Sequence, residues 1–494
     1  VLADHSDIID KSILISQLNK INQDYVREDR HISFKVNIPD VGEIACSKVF
    51  RAIQGKRLVC LGEIRSRMVI VKLYFSARRA HANWKRSSRG CRAFAEKGIP
   101  APEILFSGHI PDYGIYVIVF EYLTDAVRVD SALEACPDIH QVERVLDVLM
   151  AFLGSCHEQG ILQNDLHLGN FMILDECIYA LDGDQVKIYR GAIGPKRSLS
   201  NLACLLANLP PVYNGGMEDR IMAYVKKRGW VITDREMVRV KRETRKIRQG
   251  ILSEYLRKTN KTRDPFLTRW DTRFFSVYDR HQFDVVYEEI LDASRHLPHG
   301  EGNRLASGYS LISVGDKEML VWSSRGYGPR ILKRFWSASR IWKNALMLRR
   351  IGIETPIPVT LVGKCRNIFR WDCAVFFKPV EGMNLKDFFH SENVTSDIKG
   401  SIAEALADTF TRMEEFGITA GRINPEGIII SGLRVVFHNL LIFNRPAFYN
   451  WSTQEGRLER FLSSFVDIPG LTELITGHLK DSGIIKVQRS SFVL

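Results

Sequence analysis

Asp165, Asn170, Asp182 and Asp184 offer side-chain oxygens within a span of twenty residues, in the stretches Gln163-Asn-Asp-Leu-His-Leu-Gly-Asn-Phe-Met-Ile-Leu174 and Tyr179-Ala-Leu-Asp-Gly-Asp184. Moving a phosphoryl group asks for little covalent work from a protein. It needs a carboxylate at the acceptor hydroxyl and oxygen ligands that hold Mg²⁺ on the phosphates. Asp165 is expected to take or orient the acceptor proton. Asn170, five residues on, and Asp182, twelve beyond that, are expected to hold metal, with Asp184 as a second acidic ligand. Asp, Asn and Gly also make ordinary turns, but three such residues so placed between apolar strand-like runs make chance a poor account.

These groups need a scaffold, and the pattern supplies one. Strand-like runs at Arg57–Gly62, Met68–Tyr74 and Ile115–Glu121 precede long helical segments, which points to an α+β chain with a β-rich part followed by a helix-rich part. Lys72 closes the alternating run Met68-Val-Ile-Val-Lys72.

The chain also contains itself twice. Lys72-Leu-Tyr-Phe-Ser-Ala-Arg has a counterpart in Lys333-Arg-Phe-Trp-Ser-Ala-Ser, which follows Arg330-Ile-Leu; each precedes a helical pattern and a Gly-Ile-x-x-Pro turn, at Gly98–Pro102 and Gly352–Pro356. Later amphipathic helices (Val142, Val145, Leu149, Phe152; Ile402, Leu406, Phe410, Met413) each run into Gly-Ile, at Gly160 and Gly417. Two homologous domains are expected, residues 1–260 and 261–494, with Lys333 taken as the counterpart of Lys72. Aligning the Gly-Ile turns sets Arg422 opposite Asp165, Gly427 opposite Asn170 and Asn439 opposite Asp182. An Arg accepts no proton near neutral pH and a Gly offers no side-chain oxygen, so the second copy is expected to be non-catalytic.

Lys72, the Gly98-Ile-Pro-Ala-Pro turn, Asp165-Leu-His-Leu-Gly-Asn170 and Leu181-Asp-Gly-Asp184 together resemble the protein-kinase-like fold, and more closely the bacterial lipopolysaccharide core sugar kinases that phosphorylate heptose or Kdo. The resemblance implies two tandem kinase-like domains, each with a β-rich N-lobe and a helical C-lobe, the second a pseudokinase. It further implies ATP and Mg²⁺ as cofactors, with Lys72 on the α- and β-phosphates and the stretch Glu121–Leu123 as the hinge that meets adenine. The implied acceptor is a sugar hydroxyl of a lipid-linked core glycan. A kinase of proteins or other small molecules, or a tandem scaffold without turnover, stays open as the alternative.

The sequence departs from that pattern at three places. Gln163 stands where such loops carry a bracing His, the turn Gln54-Gly-Lys-Arg57 has a single glycine, and no Glu lies mid-helix in Ala80–Phe94 to pair with Lys72.

Composition sets the outer bounds. At 494 residues, 45% hydrophobic and 26% charged, collagenous, disordered and disulfide-scaffold classes are excluded. No apolar stretch approaches a membrane span, Val1 is not preceded by an initiator Met, which leaves room for a segment removed ahead of it, and the N-terminus lacks a basic-then-apolar signal region. Nine scattered Cys with no CxxC pair fit a reducing compartment. A cytoplasmic chain is expected, and the resemblance implies a peripheral place on the inner face of the inner membrane.

The net charge of +12 is concentrated between Lys226 and Arg273, where 16 basic residues face 6 acidic ones. Met237, Val240, Thr244, Ile247, Ile251 and Tyr255 recur there at helical spacing, which fits a solvated amphipathic helix. The same charge also fits a surface that meets anionic lipid or phosphorylated glycan. Without zinc-finger or RNA-recognition signatures, nucleic acid is not an expected partner.

Overall fold

Alternation decides the face on which Lys72 sits. In β4 (Arg67–Tyr74), Val69, Val71 and Leu73 are buried on one face, which leaves Ile70, Lys72 and Tyr74 on the other. The computed structural model describes residues 31–481 except 39–40, 54–55, 76–77, 112–113, 214–215, 263–264, 271–273, 280–288, 291–308, 328–330, 368–369 and 446–452. The chain falls into two units. The first runs through Leu209 and resumes at Tyr213–Thr244; the second comprises Pro210–Val212 and the residues from Arg245 on.

In the first unit β1 (His31–Ile38), β2 (Gly42–Ile53), β3 (Arg57–Ile64), β4, β5 (Ile104–Ile110) and β6 (Ile115–Glu121) form one antiparallel sheet in the order β1-β2-β3-β4-β6-β5. The face opposite Lys72 is one apolar cluster that includes Val36, Ile44, Cys60, Val71 and Val117. Helix α1 (Ala80–Glu96) packs on the Lys72 face through Ala80, Ser87, Cys91 and Phe94. It stops because Gly98 adopts φ +65° and lets Ile99 N–H reach Phe94 O at 2.9 Å and Gly98 N–H reach Ala95 O at 3.1 Å, a Schellman closure. The repeated Gly-Ile is therefore a helix stop.

After the sheet come β7 (Val127–Arg128), α2 (Val129–Ala135) and α3 (Ile139–Glu158), whose start Asp138 caps by accepting from Gln141 N–H at 2.9 Å. Strand β8 (Ile161–Gln163) leads into the loop that carries Asp165. The hairpin of β9 (Phe171–Leu174) and β10 (Cys177–Ala180) turns at Asp175 and Glu176, both at positive φ, and β11 (Val186–Ile188) pairs back with β8. Helices α4 (Pro195–Asn208), α5 (Met217–Lys227) and α6 (Asp234–Lys258) follow, and the two units divide within α6.

The second unit repeats much of this order. Its sheet runs β12 (Phe266–Trp270), β13 (Phe274–Asp279), β16 (Pro358–Asn367), β17 (Arg370–Phe377), β15 (Lys317–Tyr327), β14 (Tyr309–Val314). Strands β14-β15-β17-β16 pair as β3-β4-β6-β5 do, and the two further strands sit on the β16 edge where the first unit extends from β3 instead. Helix α7 (Ile331–Arg350) ends in the same closure, Ile353 N–H to Leu348 O at 2.9 Å with Gly352 at φ +79°. The hairpin of β20 (Ile428–Ser431) and β21 (Arg434–Phe437) follows α9 (Ser396–Phe416), reached through β18 (Met383–Asn384) and α8 (Leu385–His390). A short strand β19 (Thr419–Ala420) pairs with β22 (Phe443–Asn444), and α10 (Gln454–Leu462) and α11 (Leu471–Asp481) complete the unit.

The register corrects one expectation. Lys333 lies in helix α7 and not at a strand end. Lys72 pairs with Val59 and Ile118, next to a bulge between Ile104 and Phe106; Trp322 pairs with Tyr309 and Val375, next to the matching bulge between Pro358 and Thr360. Trp322 thus holds the sheet position of Lys72. Among the described residues no helix is long and apolar enough to cross a membrane.

Candidate active site

A cavity of about 640 Å³ in the first unit is lined by Val59, Ile70, Lys72 and Phe120 above and by His167, Asn170, Leu181 and Asp182 below. That volume is within the range of small-molecule sites. Lys72 is only 9% exposed, and its Nζ donates to Leu181 O at 3.0 Å and lies 3.8 Å from Asp182 Oδ1 and 5.1 Å from the centre of the Phe120 ring. Burial alone would push the Asp182 carboxyl up. Lys72, Arg57, the Asp184 N–H and Arg51 together reverse this and hold it below the usual carboxylate range.

The loop under the cavity is tied by its own backbone. Asn170 N–H donates to His167 O at 2.9 Å, Asn170 Nδ2 to Asp165 O at 2.9 Å, and Leu181 N–H to Asn170 O at 2.9 Å. With its amide nitrogen engaged, what Asn170 retains for a cation is its oxygen, and an Asn oxygen beside an Asp carboxylate is a donor set that suits Mg²⁺. Asp165 is partly exposed, with Oδ2 4.0 Å from His167 Nε2. Asp184 does not line the cavity; its Oδ2 is held by Arg57 Nη1 at 2.6 Å while its Oδ1 is buried without a hydrogen-bond partner. Among the described residues, no three His, Cys, Asp or Glu side chains gather as a metal cluster. Glu121 and Leu123 both line the cavity at the end of β6, where Glu121 Oε1 also accepts from Glu103 N–H at 2.8 Å.

Two of the three departures from the expected motif have a structural counterpart. Gln163 braces the loop as a hydrogen-bond donor, its Nε2 reaching Asp182 O at 2.6 Å. Behind it runs a buried relay that sequence reading missed: Asn201 Nδ2 donates to Gln163 O at 2.8 Å, Asn201 Oδ1 lies 2.9 Å from His157 Nε2, and His157 Nδ1 lies 2.6 Å from Tyr224 Oη. Burial drives His157 down to about 4, with Asn201 opposing and Arg228 adding to the shift. In place of a glutamate, α1 meets the Asp182-Gly183-Asp184 turn through glycine. A Cβ on Gly90 would lie 2.0 Å from Gly183 O, and one on Gly183 would lie 2.4 Å from Cys91 N. The single-glycine turn falls partly outside the described residues, at 54–55.

At the matching sheet positions of the second unit stand two aromatic rings. Tyr309, 1% exposed, donates from Oη to His438 O at 2.8 Å and packs its ring 5.7 Å from Phe377, with Trp322 partly buried against the same core. His438 N–H donates to Gly427 O at 2.9 Å, as Leu181 N–H does to Asn170 O, so Asn439 follows where Asp182 stands. Asn344 Nδ2 reaches Leu440 O and Phe443 O, each at 2.8 Å. Glu414, near the end of α9, is gripped by Arg457 through two bonds of 2.6 Å.

No protein-family model matches the chain, and no curated protein does. Among solved structures it is similar to a mutant kinase domain of PknI from Mycobacterium tuberculosis, at 15% identity over 36% of this chain and 74% of that one, with a TM-score of 0.26. It is similar also to the kinase domain of BubR1, at 14% identity over 35% of this chain and 59% of that one, TM-score 0.26. A second mutant PknI kinase domain matches at 17% identity over 34% of this chain and 77% of that one, TM-score 0.25. At such scores the site has to be read from its own geometry.

Proposed function

We propose that the first unit is an ATP- and Mg²⁺-dependent phosphotransferase acting on a hydroxyl group. One observation carries this reading: a buried Lys72 set against Asp182 in a cavity whose floor also holds Asn170, with Asp165 on the same loop. Mg²⁺, when bound, neutralises charge on the phosphates. Lys72 orients the phosphate tail, and Asp182 and the Asn170 oxygen hold the metal. Phe120 and Ile70 give adenine an apolar slot, and the backbone at Glu121 and Leu123 borders it. Asp165, accessible to solvent, receives or orients the acceptor proton.

The acceptor we propose is a heptose or Kdo hydroxyl of a lipopolysaccharide core, and it rests on the motif resemblance alone. The test is labelled phosphate transfer from ATP to core oligosaccharide, a generic protein and free sugars. Asp165→Ala should abolish transfer with nucleotide binding retained, while Arg422→Ala should leave it intact. Transfer that survives Asp165→Ala rejects the assignment.

The second unit, in this reading, is a copy of the first that keeps the fold and has lost the chemistry. Tyr309 and Trp322 support this, because they stand at the sheet positions that Val59 and Lys72 hold beside the cavity of the first unit. Helix α6 supports a membrane-surface role: Arg235, Arg239 and Arg242 are exposed at helical spacing, whereas Lys241 is paired with Glu218. Replacing Arg235, Arg239 and Arg242 with Ala should weaken sedimentation with anionic vesicles, and unchanged binding would reject that role.

A further inference from the structure

We infer that Arg51 and Arg57 form, with Lys72, a side-chain clamp for the nucleotide's phosphate tail, and that Arg57 leaves Asp184 to do so. This rests on the phosphotransferase reading and adds to it the residues that replace a glycine-rich loop.

The register sets the three cations on one face. Arg51 pairs with Val59 and Val59 with Lys72, so Arg51 and Lys72 lie in one row across β2, β3 and β4 on the cavity side of the sheet. Arg57, two residues before Val59, shares that face. All three cations line the cavity.

Phosphate-binding turns rich in glycine work by presenting unpaired backbone N–H groups. At this turn the Lys56 N–H is already spent on Ile53 O at 2.9 Å, and the charge on this wall of the cavity comes from side chains. Arg51 is exposed, and its charge acts on Asp182. The cavity wall carries Lys48, Arg51, Arg57, Lys72 and Arg128 against Glu121 and Asp182, an excess of positive charge that suits a polyphosphate.

The Arg57–Asp184 pair is only half made. A guanidinium and a carboxylate can share two parallel bonds, yet here Nη1 to Oδ2 is one bond of 2.6 Å, and both Arg57 Nε and Asp184 Oδ1 are buried without partners. Moving Arg57 onto a phosphate oxygen gives that orphaned donor an acceptor. It also releases Asp184, whose carboxylate then becomes available to a cation.

The experiment is titration of the full-length chain with ATP, ADP, AMP and adenosine, with and without Mg²⁺, for wild type, Arg51→Ala, Arg57→Ala and Arg57→Lys, with thermal melting as a folding control. Losing one charge-assisted bond to phosphate should weaken ATP by about tenfold or more. AMP and adenosine should bind the variants as they bind wild type, and Arg57→Lys should recover part of the loss. Arg51 is exposed, so its variant tests the clamp even where Arg57→Ala disturbs the fold. ATP affinity within about twofold of wild type in Arg51→Ala and in a folded Arg57→Ala overturns the clamp and leaves the phosphotransferase reading standing. A wild-type chain that binds no adenine nucleotide overturns both.

Discussion

Gly90→Ala separates stability from positioning in this site. Gly90 sits inside α1, where glycine costs about 1 kcal/mol relative to alanine. Its use there is explained by the approach of Gly183 O to within 2.0 Å of where a Cβ would lie. Real Cβ contacts stay beyond 3.0 Å, so the substitution must open the helix–loop contact by at least 1.0 Å. The obstructing atom is backbone and has no rotamer by which to escape. The expected overpacking cost of about 1–3 kcal/mol is partly offset by the gain in helix propensity, so the net loss of stability is about 0–2 kcal/mol. The displacement, however, falls on the turn that carries Asp182, opposite Lys72. A misplacement of about 1 Å at reacting groups costs on the order of 100-fold in rate. The prediction is a variant that melts near wild type but turns over ATP about 100-fold more slowly, measured by nucleotide turnover beside thermal denaturation. Gly183→Ala, whose Cβ would meet Cys91 N at 2.4 Å and Ser87 O at 2.6 Å, should behave alike. A folded Gly90→Ala protein that turns over ATP within about threefold of wild type would refute the claim that this contact sets the site.

Acidification should destabilise both units. His157 and His438 are each lowered by burial from 6.5 to about 4, so as pH falls the unfolded chain takes up the proton first. Their stabilisation is complete above about pH 6.5 and is lost on the way down to about pH 4, on the order of 2 kcal/mol each between pH 7 and 5. Denaturant midpoints across that range should fall less in His157→Gln than in wild type; equal falls would reject the assignment. Calorimetric titration with ATP should give one nucleotide per chain, and Lys72→Met should abolish the binding. A second equivalent would show that the Tyr309 and Trp322 rings leave the second cleft open, and binding that survives Lys72→Met would reject Lys72 as the anchor of the phosphate tail.

How much of this was legible depended on whether the signal lay along the chain or across space. Lys72 was readable because strict alternation in β4 assigns a face to every residue. The Gly-Ile repeats were readable because a helix stop needs a glycine at positive φ followed by an apolar residue that closes it. Lys333 was misread because Ile331-Leu332 is too short to reveal a period, and an apolar pair serves a helix as well as a strand. The residue at the same sheet position as Lys72, Trp322, is fixed only by strand pairing, which its own neighbours do not encode. The missing glutamate was visible in the sequence, but its replacement was not, since Gly90 and Gly183 are 93 positions apart and each looks ordinary alone. The same holds for the relay from Tyr224 through His157 and Asn201 to Gln163, in which no two adjoining members are closer than 38 residues. Gln163 shows why such sites mislead a motif reader: the loop needs a donor aimed at Asp182 O, and an amide supplies one as well as an imidazole does. What the fold constrains at this position is the direction of a hydrogen bond, so the residue type can change while the geometry of the site is kept.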